Sequence, residues 1–242
     1  MSHPVFILGG KRLPGWALAF SERATGESAW LLLGFTGFVF ATGLSGIWVA
    51  VGIASGIIFA WLFLARKFRE EADKYKVLTL PDYLAVRFQE KANIIRWIVT
   101  ILIASFFMFY VGAQLAGAGK VFLTTFQINE TTGIIIATIV IMGTAYFGGF
   151  LSVVWTDMMQ SFMMLFTLVV LPIIALIYIA TNDLSITTSL AVAGDGFDSW
   201  MGGVTGFAIG VLFFNNFSWF FGYLGGQPQL SARFMALKND HE

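Results

Sequence analysis

Cysteine is absent from the chain, and its two histidines, His3 and His241, stand at opposite ends. No disulfide framework, thiolate metal site or thiol nucleophile can therefore be built. Nor is an imidazole available along the interior as a base or metal ligand. Charge is also scarce: Asp, Glu, Lys and Arg make up 12% of residues, against about a quarter in soluble domains. HExxH, GxSxG and P-loop patterns are missing, and net charge is zero, so no nucleic-acid partner is expected. Catalysis would have to rest on carboxylates and hydroxyls alone, and the chain is read as a non-enzyme.

Apolar sequence fills the space. At 57% hydrophobic residues and a mean hydropathy of +0.79, runs of about 20 apolar residues recur along the whole length. In lipid every backbone N–H and C=O needs a partner within the protein, which leaves helices or closed barrels. These runs are too long for barrel strands, so the expected class is an all-α polytopic membrane protein. Six spans are expected, at Ala24–Leu44, Ile47–Leu64, Ile94–Gly119, Gly133–Phe150, Met158–Ala180 and Gly202–Gly225. All of 1–242 is read as one transmembrane domain. GxxxG spacings such as Gly52–Gly56, Gly206–Gly210 and Gly222–Gly226 would permit close helix approach.

The basic residues are distributed unevenly. With six spans, thirteen of fourteen fall on one side, from Lys11, Arg12 and Arg23 through the 66–96 stretch to Arg233 and Lys238; Lys120 alone falls on the other. The positive-inside rule then puts both ends of this segment in the cytoplasm of a multi-pass cell-membrane protein. Residues 69–91 become a cytoplasmic loop. Within it, Thr79-Leu80-Pro81-Asp82 reads as the start of a short interfacial helix, with a hydroxyl cap, then proline and an acid in the first turn. Residues 181–200, with three aspartates and no Lys or Arg, become an extracellular loop.

Two spans carry polar residues where lipid-facing sequence is expected. The first opens with Ala24-Thr25-Gly26-Glu27-Ser28-Ala29-Trp30 and continues through Gly34 and Gly37. The sixth carries Asn215-Asn216-Phe217-Ser218-Trp219, then Gly222, Tyr223, Gly225, Gly226, Gln227 and Pro228. Interrupted helices free backbone groups that lipid cannot satisfy, so they mark a cavity. In corresponding positions of two repeats they point to a transporter binding site. A carboxylate such as Glu27 at depth costs about 2.5–3.5 kcal/mol on insertion scales. Plainer roles stay open: Glu27 complementing a helix dipole, Asp157 capping the fifth span, Asn215 and Asn216 bonding between helices, and Tyr110, Trp219 and Tyr223 as packing or interfacial aromatics.

Several segments, in order, resemble the sodium:solute symporter family, and within it the sodium/proline symporters: Ile7-Leu8-Gly9-Gly10-Lys11-Arg12-Leu13, Leu78-Thr79-Leu80-Pro81-Asp82-Tyr83, Gly148-Gly149-Phe150-Leu151, Trp155-Thr156-Asp157, Gly226-Gln227-Pro228 and Ala232-Arg233-Phe234-Met235-Ala236. The resemblance implies the first half of a five-plus-five inverted-repeat fold, with sodium as coupling ion. It assigns sodium to the carbonyls of Ala24 and Glu27 and to Asp157. It assigns solute to Ser28, Ala29, Trp30, Tyr110, Trp219 and Tyr223. Gly26 stands where the symporters carry aspartate, and the carboxylate comes one residue later, at Glu27. The family has one helix before the equivalent of Met1 and several after that of Glu242, the later ones supplying hydroxyl ligands to sodium. The chain is accordingly expected to be the N-terminal half of a longer transporter.

The function expected on this basis is sodium-coupled import of proline or a related amino acid by alternating access. A symporter for a sugar, carboxylate or vitamin, and a non-transporting membrane sensor or assembly module, are the alternatives.

Overall fold

A computed structural model describes residues 6, 8–11 and 13–238; His3, Ile7, Arg12 and His241 lie outside the described residues. Among the described residues the regular structure is entirely helical. Four helical runs among the described residues are long and apolar enough to cross a membrane: Gly15–Tyr75, Ala92–Phe126, Glu130–Thr181 and Phe207–Met235. At 1.5 Å per residue the 52-residue run Glu130–Thr181 is about 78 Å long, well over twice a hydrocarbon core of about 30 Å. It carries the expected fourth and fifth spans end to end, bent at Gly149 (φ 57, ψ −153). The run Gly15–Tyr75 likewise carries the first two, turned at Gly43–Gly46. The chain is therefore an all-α membrane protein in which the first two expected spans are joined by a short turn and the fourth and fifth by a kink.

The chain divides into two compact units, described separately. The first comprises Met1–Ala29, Ala65–Met159 and Gln227–Glu242. It contains α1 (Gly15–Ala29), then α4 (Arg66–Tyr75), α5 (Leu80–Arg87), α6 (Ala92–Phe126), the first part of α7 (Glu130–Thr181) and α11 (Pro228–Met235). α11 packs on α1 and α4, and its Phe234 and Met235 are buried with Leu18 of α1. Arg69 of α4 donates from Nε to the Leu237 carbonyl (2.9 Å) and from Nη2 to that of Lys238 (2.8 Å). These carbonyls follow the end of α11, where an arginine satisfies backbone acceptors that have no helical partner.

The helix expected near Thr79 is present as α5. Thr79 is extended, its hydroxyl accepts from the Asp82 N–H (3.3 Å), and proline lies in the first turn. Such a cap supplies an acceptor for one orphan amide and fixes the start of the helix. Tyr83 donates to Glu71, whose oxygens also accept from Arg87 Nη1 at 3.0 and 2.8 Å. Burial, and then the bond to Glu71, push the Tyr83 phenol above its usual range.

The second unit comprises Trp30–Leu64 and Gln160–Gly226. It contains α2 (Thr36–Thr42), α3 (Ile47–Phe59), the later part of α7, α8 (Ile186–Ala193), α9 (Phe207–Phe217) and the single turn α10 (Trp219–Phe221). α8 lies within the expected 181–200 loop, started by Ser185, whose hydroxyl accepts from the Thr188 N–H. α2 ends at Gly43 (φ 65, ψ −145), where an added Cβ would meet the Phe197 backbone, and Leu44 N–H donates to the Phe197 carbonyl at 2.9 Å. α3 packs on α9 and α10 through Gly52 and Gly56. A Cβ on Gly52 would lie 2.8 Å from the Phe217 carbonyl oxygen, and one on Gly56 would meet that of Phe220. This GxxxG pair is thus used inside the chain, whereas Gly206, Gly210 and Gly222 face open space.

Candidate functional site: a broken first helix

α1 breaks at Ser28, whose φ of 46° and ψ of −160° lie outside the helical region. A π-helical turn, Trp30–Phe35, follows. Few residues other than glycine adopt such a conformation, which costs about 1–3 kcal/mol and is found where surrounding structure enforces it. Gln114 and Tyr110, one turn apart on α6, supply that enforcement. Ala29 N–H donates to Gln114 Oε1 (3.0 Å), and Gln114 Nε2 donates to Ser28 Oγ (3.2 Å). The Thr25 carbonyl, which a continuous helix would pair with Ala29 N–H, accepts instead from the Tyr110 hydroxyl (3.4 Å). Both backbone groups separated by the break are met by side chains of one helix face.

A second polar cluster lies on the same helix. Asp157 Oδ2 accepts from Ser21 Oγ (2.7 Å), Thr25 Oγ1 (3.2 Å) and Arg233 Nη2 (3.1 Å). Arg233 also donates to Ser21 Oγ (3.1 Å), to Thr25 Oγ1, and to the Gln229 carbonyl (2.8 Å). The side chains of this ion pair are 6% and 15% exposed for Arg233 and Asp157. Asp157 lies inside α7, eight residues past its kink, and so is not the cap of a separate fifth span. A third group sits on α1 alone: Arg23 contacts buried Glu22 and pairs with Glu27 at 3.5 Å, one turn on.

In the second unit two of the aromatic residues of interest meet. Trp30 stacks on Trp219 with centroids 4.4 Å apart and planes 12° from parallel, and Tyr223 is buried in the π turn Gly222–Gly226. Asn216 donates to the Ser45 carbonyl (3.3 Å), the inter-helix role left open for it. An apolar cavity of about 890 Å³ in this unit, lined by Val39, Leu44, Ile47, Leu190 and Phe197 among others, contains none of the predicted site residues.

The family model for the sodium:solute symporter family matches residues 6–242. The chain belongs to that family. Among its relatives, the high-affinity proline transporter PutP of Bacillus subtilis (strain 168) is 33% identical over 98% of this chain and 49% of its own length. The sodium/proline symporter of Escherichia coli (strain K12) is 33% identical over 98% of this chain and 46% of its own. The osmoregulated proline transporter OpuE of Bacillus subtilis is 32% identical over 97% and 46%. The chain spans about half the length of the curated relatives it matches. No solved structure matches it.

For this sodium:solute symporter family member, the predicted site residues fall into two sets. Ala24, Glu27, Ser28, Ala29, Tyr110 and Asp157 belong to the first unit, and Trp30, Trp219 and Tyr223 to the second. Within the first, the structure joins Tyr110 to the break and Asp157 to the face of α1 preceding it. Glu27 is joined to Arg23 and not to Asp157. No cluster of three or more acidic or histidine groups that could hold a metal occurs among the described residues, so any cation held here needs backbone carbonyls and hydroxyls as well. Four residues of the site were not singled out from sequence: Ser21, Glu22, Gln114 and Arg233. Gln114 had a signal, since it repeats Tyr110 at i+4 on one face of an otherwise apolar span.

Proposed function

We propose that the chain is part of a sodium-coupled secondary transporter that imports proline or a related amino acid by alternating access. The observation that carries this reading is the break at Ser28, in a chain whose relatives include named proline transporters. Sodium is cargo, coordinated by the carbonyls of Ala24 and Glu27 beside the break. Asp157, with Ser21 and Thr25, supplies hard oxygen and negative charge next to it. Unwound carbonyls at half-helix ends suit such an ion. Because Asp157 is already engaged by Arg233, its carboxylate supports the cation while shared with a guanidinium. Solute recognition is assigned to Ser28, Ala29 and Tyr110, and separately to the aromatic set Trp30, Trp219 and Tyr223. Six spans place both ends of the segment in the cytoplasm, with 69–91 on that side and 181–200 outside.

Labelled proline offered to the chain in proteoliposomes tests this reading. Binding and accumulation that require an inward sodium gradient, and fail with potassium, are expected. Sodium-independent behaviour overturns the coupling. Binding without flux favours a sensor, and displacement by a sugar, carboxylate or vitamin reassigns the solute. Glu27→Gln, which retains the backbone carbonyl but removes the charge, is expected to weaken the sodium dependence.

A further inference from the structure

Where α5 passes into α6, the short turn Gln89–Lys91 forms one wall of a shallow pocket of about 360 Å³ lined by Arg87, Phe88, Gln89, Lys91 and Ile95. Its two cations have spare capacity. Arg87 reaches Glu71 through Nη1 only, leaving Nε and Nη2 without a partner among the described residues. Lys91 is exposed and makes no ion pair among those residues. Among the described side chains the carboxylate paired with Arg87 is Glu71, and Asp82 on α5 is held by Arg96 (3.1 Å).

The rest of the lining is Phe88 and Ile95, and the surface beside the pocket is apolar and exposed. Phe88 is 55% exposed and Trp97 70%, and Ile94 and Ile98 are exposed beside Trp97. Positions 94, 97 and 98 share one face of α6, at the i, i+3, i+4 spacing. α6 itself is a membrane-crossing candidate that begins at Ala92. The change from charged to apolar sequence therefore falls at the pocket, and an exposed tryptophan lies within two turns below it. Tryptophan at that depth marks the headgroup level of a bilayer, where basic side chains attract anionic lipid.

We propose that this pocket binds the headgroup phosphate of an anionic phospholipid between Arg87 and Lys91, with the acyl chains lying along Ile94, Trp97 and Ile98. A free phosphate would satisfy the two cations but would leave the exposed apolar face of α6 beside the pocket without a role. A zwitterionic lipid would carry its own cation against Lys91.

The test is lipid retention by the purified 242-residue chain in detergent supplied with equal phosphatidylglycerol and phosphatidylcholine, read by native mass spectrometry. Phosphatidylglycerol is expected to be retained in preference. Lys91→Gln is expected to cut that preference at least threefold, Lys91→Arg to keep it, and Lys120→Gln to leave it untouched. Because Lys91 is exposed, its substitution is expected to preserve helicity, which circular dichroism checks. Equal retention of the two lipids, or a preference that survives Lys91→Gln, overturns the site. Displacement of phosphatidylglycerol by millimolar inorganic phosphate alone overturns the lipid assignment.

Discussion

The backbone amide of Ala29 donates to Gln114 Oε1 at 3.0 Å, across 85 residues of sequence. In an unbroken helix that amide would need no side chain, so Gln114 stabilises the break specifically. Leaving a buried donor without a partner costs about 1–3 kcal/mol, and this part-buried amide stands toward the lower end of that range. Gln114→Leu is therefore expected to lower thermal stability by that order. Gln114→Glu, which keeps an oxygen acceptor, is expected to lose less. Melting curves of the two variants in detergent decide the order, and the reverse order would remove Gln114 from its supporting role.

Arg233 and Asp157 form a buried pair whose members answer for one another. Removing one partner leaves a charge in a low-dielectric site, at about 3–5 kcal/mol, whereas replacing both with apolar groups of similar size can be close to neutral. Asp157→Leu and Arg233→Met are each expected to destabilise strongly, and the double variant to recover most of the loss. A double-mutant cycle on thermal unfolding measures the coupling. Additive losses would show that the pair does not act as a unit.

The helical class was legible because apolar runs of bilayer length admit little else. The polar stretch around Ser28 was legible as a break for the same reason. The Thr79 cap was legible because capping is local, with donor and acceptor three residues apart. What escaped sequence reading depends on distant partners. Arg233 counted only as one more basic residue on one side of the membrane, yet it is buried against Asp157, 76 residues away. Arg69 is buried too, so part of the charge asymmetry is interior pairing rather than solvated charge. The kink before Asp157 escaped for a similar reason. A single glycine, Gly149, bends α7 without interrupting the apolar pattern that marks it as helix.

Ser28 offers a test of strain. Glycine adopts its backbone angles without a Cβ penalty, while a β-branched residue adopts them least readily. Ser28→Gly is expected to gain up to about 1–3 kcal/mol from relieved strain, less about 0.5–1.5 kcal/mol for the lost bond from Gln114. Ser28→Val loses the bond and keeps the strain. The expected order of melting temperature is Gly at or above Ser, with Val lowest. A valine variant as stable as the native chain would mean that the break is not held in this conformation.

Gly52 and Gly210 separate close packing from chance spacing. Both belong to GxxxG pairs, but a Cβ at Gly52 would press on the Phe217 carbonyl oxygen at 2.8 Å while one at Gly210 meets nothing within 4 Å. Backbone cannot swing aside as a flexible side chain can, so α3 and α9 must move apart to admit even one methyl. Overpacking of this kind costs about 1–3 kcal/mol. Gly52→Ala is therefore expected to lower the melting temperature and Gly210→Ala to leave it unchanged or raise it slightly, since alanine is the better helix former. Equal effects at the two positions would place the contact between α3 and α9 elsewhere.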